Sequence, residues 1–142
     1  MPRAVISLPD RYLFSTEIAI RITDINYGGH LGNDSLLSLI QEARLQFLRH
    51  FGFSENNIAG YGIIMADAVI IYKSQAFYGD VLRFEIAVDD MGKHACDLLY
   101  RISNAASGKE VARIKTRIAF FDYQMNKTIP MPEAFRKIIL DP

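Results

Sequence analysis

The chain has a single cysteine, Cys96, in 142 residues. That excludes an intramolecular disulfide, and no Cys or His cluster surrounds Cys96 to make a zinc site. A lone thiol fits a reducing compartment, so a cytoplasmic protein is expected. Net charge is also missing. Sixteen Lys and Arg balance sixteen Asp and Glu, and no global field draws the protein to nucleic acid or to an anionic membrane surface. No apolar run approaches membrane-spanning length. The first dozen residues are broken by Arg3, Asp10 and Arg11, with prolines at 2 and 9. They lack the uninterrupted apolar stretch of a signal peptide and read as a lead-in arm. His50 and His94 have no ligand-like spacing to other donors, and no metal site is expected. Internal repeats, low-complexity tracts and interdomain linkers are absent.

What is present is apolar patterning. Half of the residues are hydrophobic, enough for one core without disulfides or metal and too few for two, so a single domain over residues 1–142 is expected. Thr16 to Thr23 alternates, with Ile18, Ile20 and Ile22 on one face, the period of a half-buried strand. From Ser35 the period becomes helical. Leu36, Ile40, Ala43, Phe47 and Phe51 share a face, flanked by Leu37, Leu39, Leu48 and the aliphatic part of Arg44, and Gly52 marks the stop. Phe53 to Tyr61 reads as a loop with room for one helical turn. Gly62 to Ser74 is β-branched and reads as a central strand covered on both sides.

Strands follow at Val81 to Val88, Ala95 to Ser103 and Glu110 to Tyr123, joined by turns at Phe77–Asp80, Asp89–Gly92 and Asn104–Lys109. Their inward residues are Leu82, Phe84, Ile86 and Val88; then Cys96, Leu98, Tyr100 and Ile102; then Ala112, Ile114, Thr116, Ile118 and Phe120. Ala134 to Leu140, after Pro130 and Pro132, is a short apolar segment with room for one or two helical turns. Strand, long helix, then four strands predicts an α+β domain whose antiparallel sheet curls around the helix. The edges of such a sheet must be covered or paired, and a second copy is one solution.

Between the first strand and the long helix lies Asp24-Ile25-Asn26-Tyr27-Gly28-Gly29-His30-Leu31-Gly32-Asn33. Three glycines let a ligand approach the backbone, and Asn33 or Asp34 is placed to cap the helix. Amides near Leu31 to Ser35, at a helix N-terminus, carry partial positive charge and suit an anionic oxygen. His30 carries the one side chain whose ordinary titration range lies near neutrality.

These residues resemble the 4-hydroxybenzoyl-CoA thioesterase family of the hotdog fold, over roughly Ile18 to Phe121. The resemblance rests on Thr23 through Asn33, on Glu42-Ala43-Arg44 in the helix, and on Phe77-Tyr78-Gly79-Asp80-Val81. It implies a curved antiparallel sheet of about five strands around one central helix. It also implies a homodimer or homotetramer with sites between subunits, and hydrolysis of an acyl thioester of coenzyme A or acyl carrier protein. No cofactor is implied, coenzyme A being part of the substrate.

Many members place an aspartate where this chain has Asn26. The plant acyl-carrier-protein thioesterases, which the motif resembles through His30 and Asn33, use an Asn and a Glu where this chain has Gly28 and Gln75. Both family carboxylates are therefore amides here. The hotdog dehydratases are a poorer match, since no histidine is followed by Phe-Pro-Gly.

Thioester hydrolysis needs donors for the oxyanion and a base on the other side of the carbonyl. His30 is the candidate base, with Asn26 orienting water or donating to the carbonyl; an amide cannot act as a base. Tyr27, Gly28, Gly29, Leu31, Asn33 and Gln75 are the candidate substrate contacts. Asp24 is as suited to bracing the loop as to reacting. Asp67 alternates with Ile63, Met65, Val69 and Ile71, so it is paired, exposed at a bulge, or held as a reserve acid. Glu42 projects with Ser38, Gln46 and Arg49 toward solvent. Arg113, Lys115 and Arg117 share an outward strand face that suits the phosphates of coenzyme A, or solvent alone. The alternative to an enzyme is a non-hydrolytic acyl-thioester binding module of the same fold.

Overall fold

The structure, a computed structural model, describes residues 3–142. Met1 and Pro2 of the expected lead-in arm lie outside the described residues. Alternation of apolar and polar residues produces five long strands: β1 (Phe14–Ala19), β2 (Gly62–Tyr72), β3 (Val81–Asp89), β4 (Ala95–Asn104) and β5 (Glu110–Asp122), with a two-residue β6 (Lys127–Thr128). The helices are α1 (Asn33–His50) and α2 (Glu133–Leu140). All pairings are antiparallel, in the order β1-β3-β4-β5-β2, with β6 on β5.

One face of the sheet packs on α1. Leu36, Leu39, Ile40, Ala43, Phe47 and Leu48 meet the inward residues of β3, β4 and β5 in one buried cluster; of the residues assigned inward from alternation on these strands, Val88 is half-buried against it and Thr116 is buried but outside it. Burying a Leu- or Phe-sized side chain contributes about 1.5–3 kcal/mol, so this helix is the largest contributor to the core. On the opposite face, residues 3–12 form a docked arm: Ile6 is buried against Ala87 and Leu99, with Leu8, Tyr12, Val69 and Ile71 around it.

Several boundaries differ from the sequence reading. β1 ends at Ala19, not Thr23, because the chain coils into a 3-10 turn over Ile22–Asp24. The Asp24 carboxylate accepts the Arg21 N–H at 2.8 Å, and Ile22 is exposed rather than inward. The helix starts at Asn33 with Gly32 as its cap, so neither Asn33 nor Asp34 caps it. Phe53 to Tyr61 holds no helical turn; two tight bridges, Ser54–Asn57 and Ile58–Tyr61, fold it instead.

The largest difference is β2. It is not central but lies at the edge of the sheet, with Met65 to Ala68 exposed. A register shift between Met65 and Asp67 inserts Ala66 as an extra residue, and an extra residue reverses which face the following side chains occupy. Ile63 therefore joins the helix-side cluster while Val69 and Ile71 join the outer one. Asp67 does not share a face with Ile63.

Candidate active site

The loop before α1 is folded by its own polar groups. The Asn26 side-chain oxygen accepts the Gly28 N–H at 2.9 Å and the His30 N–H at 3.4 Å. The Asn26 N–H donates to the His30 carbonyl at 2.9 Å. Gly29 has φ +83°, a conformation that favours glycine. Gly28 matters for a different reason: a Cβ there would lie 3.3 Å from both the Asn26 side-chain oxygen and His30 Nε2. Its bare backbone lets the amide and the imidazole converge. Asp24 is buried beneath, holding Arg21 through its carboxylate and the Gly32 N–H through its carbonyl at 3.0 Å. Tyr27 projects fully into solvent.

Against this loop stands the chain that leaves β2. The Leu31 N–H donates to the Ala76 carbonyl at 2.8 Å, and the Ser74 hydroxyl donates to the Glu110 carbonyl at 2.7 Å. These bonds hold open a cavity of about 290 Å³. His30, Leu31, Gly32, Asn33 and Leu36 form one wall; Tyr72 to Ala76 and Val111 form the other. Leu31, Leu36, Ala76 and Val111 make it largely apolar. Burial raises the pKa of the Tyr72 phenol above its ordinary value, so at neutral pH Tyr72 is an O–H donor.

The amides at the helix start divide into two sets. Leu31 and Gly32 are occupied, by Ala76 and Asp24. Among the described residues no acceptor engages the N–H groups of Asn33, Asp34 or Ser35, the first three amides of α1, which an α-helix leaves without internal partners. They carry the positive end of the helix dipole toward the cavity wall that Asn33 helps form.

The nominated residues thus separate. His30, Leu31, Asn33 and Gln75 line one cavity; Asn26, Tyr27, Gly28 and Gly29 form the loop beside it. Asp67 is far along β2, exposed at the bulge and paired with Lys115 at 2.6 Å. Arg113, Lys115 and Arg117 do share the outer face, but each has an anionic partner: Glu110, Asp67, and both Asp90 and Asp97. Glu42 is exposed and accepts from Gln46 at 2.8 Å. Neither Tyr72 nor Val111 carries a polar pattern in sequence; only the pairing of β2 with β5 brings them to the loop.

Arg44 is buried more completely than its place at the edge of the apolar arc implies. Its whole side chain, not only the aliphatic part, is buried, and its Nε donates to Glu55 at 2.7 Å. Burial pushes the neighbouring Tyr100 phenol up; its hydroxyl lies 3.2 Å from that of Thr116. The Cys96 thiol is fully buried and pushed up to about 12 by desolvation, which makes it a packing group rather than a nucleophile. Among the described residues no group of three or more His, Cys, Asp or Glu is placed to hold a metal ion. No helix there is long and apolar enough to cross a membrane.

A curved antiparallel sheet wrapped on one helix, with a cavity at that helix's start, defines the hotdog architecture. Residues 20–139 match the family model described as the Thioesterase-like superfamily, and the chain belongs to that superfamily. Among solved structures, the fold matches a 1,4-dihydroxy-2-naphthoyl-CoA thioesterase from Synechocystis, with a TM-score of 0.82 and 24% identity over 90% of this chain and 96% of that one. A DHNA-CoA thioesterase from Staphylococcus aureus matches with a TM-score of 0.78 and 21% identity, over 87% and 89% of the two chains. A gentisyl-coenzyme A thioesterase gives a TM-score of 0.78 at 14% identity, over 89% and 99%. No curated protein matches the sequence.

Proposed function

We propose that the protein is an acyl-CoA thioesterase working at the cavity between the glycine loop and the end of β2. The observation that carries this reading is the set of unengaged amides at Asn33, Asp34 and Ser35 beside a cavity that also holds His30. A thioester carbonyl oxygen at the helix start gains hydrogen bonds that strengthen as it becomes an oxyanion. His30 takes a proton from water as the water oxygen bonds to the carbonyl carbon. When the tetrahedral intermediate collapses, the C–S bond breaks and the imidazolium returns the proton to the leaving thiolate. Asn26 holds the loop in this geometry through its side-chain oxygen, leaving its amide N–H groups for the carbonyl or the water.

The chemistry needs no cofactor beyond the coenzyme A of the substrate, and the cytoplasm supplies such substrates. The open edge of β2 favours a homodimer. A second reading, a module that binds acyl thioesters without cleaving them, is favoured by one observation: the side-chain oxygen at the family's carboxylate position is committed to two backbone N–H groups.

Free-thiol release from short, long and aromatic acyl-CoAs, the last chosen because the structural neighbours are named for aromatic ones, separates the two readings. Wild type should release thiol from at least one, and His30→Ala should lose about 10²-fold or more. Binding without release from any of them would sink the hydrolase. Full activity in His30→Ala would overturn the mechanism while leaving the class standing.

A further inference from the structure

The cavity beside the glycine loop is lined by charge of one sign. Eleven of the described residues line it, none of them Asp or Glu, and the one Lys or Arg among them is Lys73. Carboxylates lie close in sequence without joining the lining. Asp34, one residue after Asn33, is exposed and outside it. Glu110, whose carbonyl accepts from Ser74, gives its carboxylate to Arg113 and Arg101. Among the described residues Lys73 has no ion-pair partner, whereas Arg113, Lys115 and Arg117 on the outer face are all paired. The unpaired charge is a local feature, because the chain as a whole balances to zero.

Backbone bonds fix where Lys73 stands. β2 ends at Tyr72, and the N–H groups of Lys73 and Ser74 both donate to the Val111 carbonyl, at 2.8 and 3.2 Å. Lys73 is thereby held in the wall across from the start of α1. Further donors stand in the same wall. The Tyr72 phenol, pushed up by burial, keeps its proton at neutral pH, and the Gln75 side chain supplies amide N–H groups. An ammonium among such donors, in a cavity otherwise walled by Leu31, Leu36, Ala76 and Val111, suits a carboxylate carried on an apolar body.

The body that reaches Lys73 is the acyl group. A cavity of about 290 Å³ is about 8 Å across if compact. The pantetheine arm holds the nearest phosphate of coenzyme A about 16 Å from the sulfur when extended, at ordinary bond lengths. With the thioester carbonyl at the amides of Asn33 to Ser35, the phosphates lie outside and the acyl group spans the cavity from wall to wall.

We propose that the acyl group of the substrate carries a carboxylate and that Lys73 is the residue that selects it. The inference rests on the thioesterase reading for the reaction, and on the one-signed lining of the cavity for the charge of the acyl group.

The test compares acyl groups of one shape and two charges, carried on N-acetylcysteamine, which has no phosphate, and on coenzyme A. Adipyl is set against 6-methylheptanoyl, and 3-carboxybenzoyl against 3-isopropylbenzoyl, an isopropyl group standing in for the carboxylate. Wild type should favour the charged member of at least one pair by about tenfold or more in kcat/KM, the scale of a charge-assisted hydrogen bond. In Lys73→Met that ratio should collapse toward one, through KM rather than kcat, because the contact is present before and during the reaction alike. Lys73→Arg should keep the preference, and Lys73→Glu should turn it toward 6-aminohexanoyl, a reversal that a merely structural lysine would not give. A wild type that treats the members of each pair alike on both carriers overturns the proposal, as does a Lys73→Met ratio equal to that of wild type.

The two carriers locate the anion. A Lys73→Met defect seen with neutral acyl-CoAs and absent with their N-acetylcysteamine thioesters assigns Lys73 to a phosphate and overturns the acyl reading. A wild type that releases no thiol from any thioester removes the hydrolase alone. Calorimetric binding of the same pairs then reads the charge preference directly. Tighter binding of the charged member, lost in Lys73→Met, upholds the selection by Lys73; equal or absent binding overturns it.

Discussion

Asn26→Asp restores the carboxylate that the superfamily resemblance places at this position, and the structure lets its effect be worked out. The Asn26 side-chain oxygen accepts from Gly28 at 2.9 Å and from His30 at 3.4 Å; an aspartate keeps both bonds. A charged acceptor makes such bonds roughly twice as strong, which offsets the repulsion from Asp24, already neutralised by Arg21. The loop should therefore hold its shape, with stability changed by less than about 1 kcal/mol. The new carboxylate is a general base where the amide is not, and a positioned base contributes about 10²–10⁴ in rate. Two N–H donors also favour its ionised form, so the variant should stay active at lower pH than a histidine-dependent wild type. Thiol release measured across pH, alongside thermal unfolding, reads both effects. A variant with an unchanged melting temperature and no gain in rate would refute the geometry, because Asn26 would then not face the reacting carbon. A tenfold loss would show instead that the amide N–H groups hold the thioester.

Arg44→Met leaves Glu55 without its cationic partner; because Glu55 keeps 22% side-chain exposure and a weak bond from Gln41, the cost should fall at about 2–4 kcal/mol, read by urea unfolding. Gly62→Ala puts a Cβ 2.6 Å from the Tyr123 ring, and the ring can move only by giving up its hydroxyl's bond to the Ile63 carbonyl. A loss of about 1–3 kcal/mol is expected, with Tyr123→Phe costing about 1 kcal/mol as the control. Cys96, with its thiol pushed up to about 12 by burial, should resist iodoacetamide at pH 8 in the folded protein and react once in urea. Because only the unfolded chain forms the thiolate readily, stability from this group should fall as pH rises above the ordinary thiol range toward 12.

The inner faces of β3, β4 and β5 and the buried stripe of α1 follow from local patterning, since period 2 and period 3.6 are set by backbone geometry and need no knowledge of neighbours. So did the loop: three glycines, His30 and Asn33 in ten residues mark a place where backbone and ligand meet. The end of β1 was misplaced because apolar alternation continues through Ile22, while a single bond to Asp24 coils the chain. Asp67 was misplaced because one extra residue, Ala66, reverses the faces, and a bulge leaves no trace in an apolar run.

The sequence by itself determined the elements, the core and the loop that carries the chemistry, because each of these is written in spacings of a few residues. Tertiary structure decided what faces that loop. Tyr72, Gln75 and Val111 line one cavity with His30 only because β2 pairs with β5 and the Ala76 carbonyl takes the Leu31 N–H. It also decided which cations are free. Arg113, Lys115 and Arg117 form a basic row in sequence, yet each finds a carboxylate on its own strand, across the sheet or in a neighbouring turn, while Arg49 finds none among the described residues. Charge is a property of residues; whether it remains available to a ligand depends on what the fold sets within about 4 Å of it.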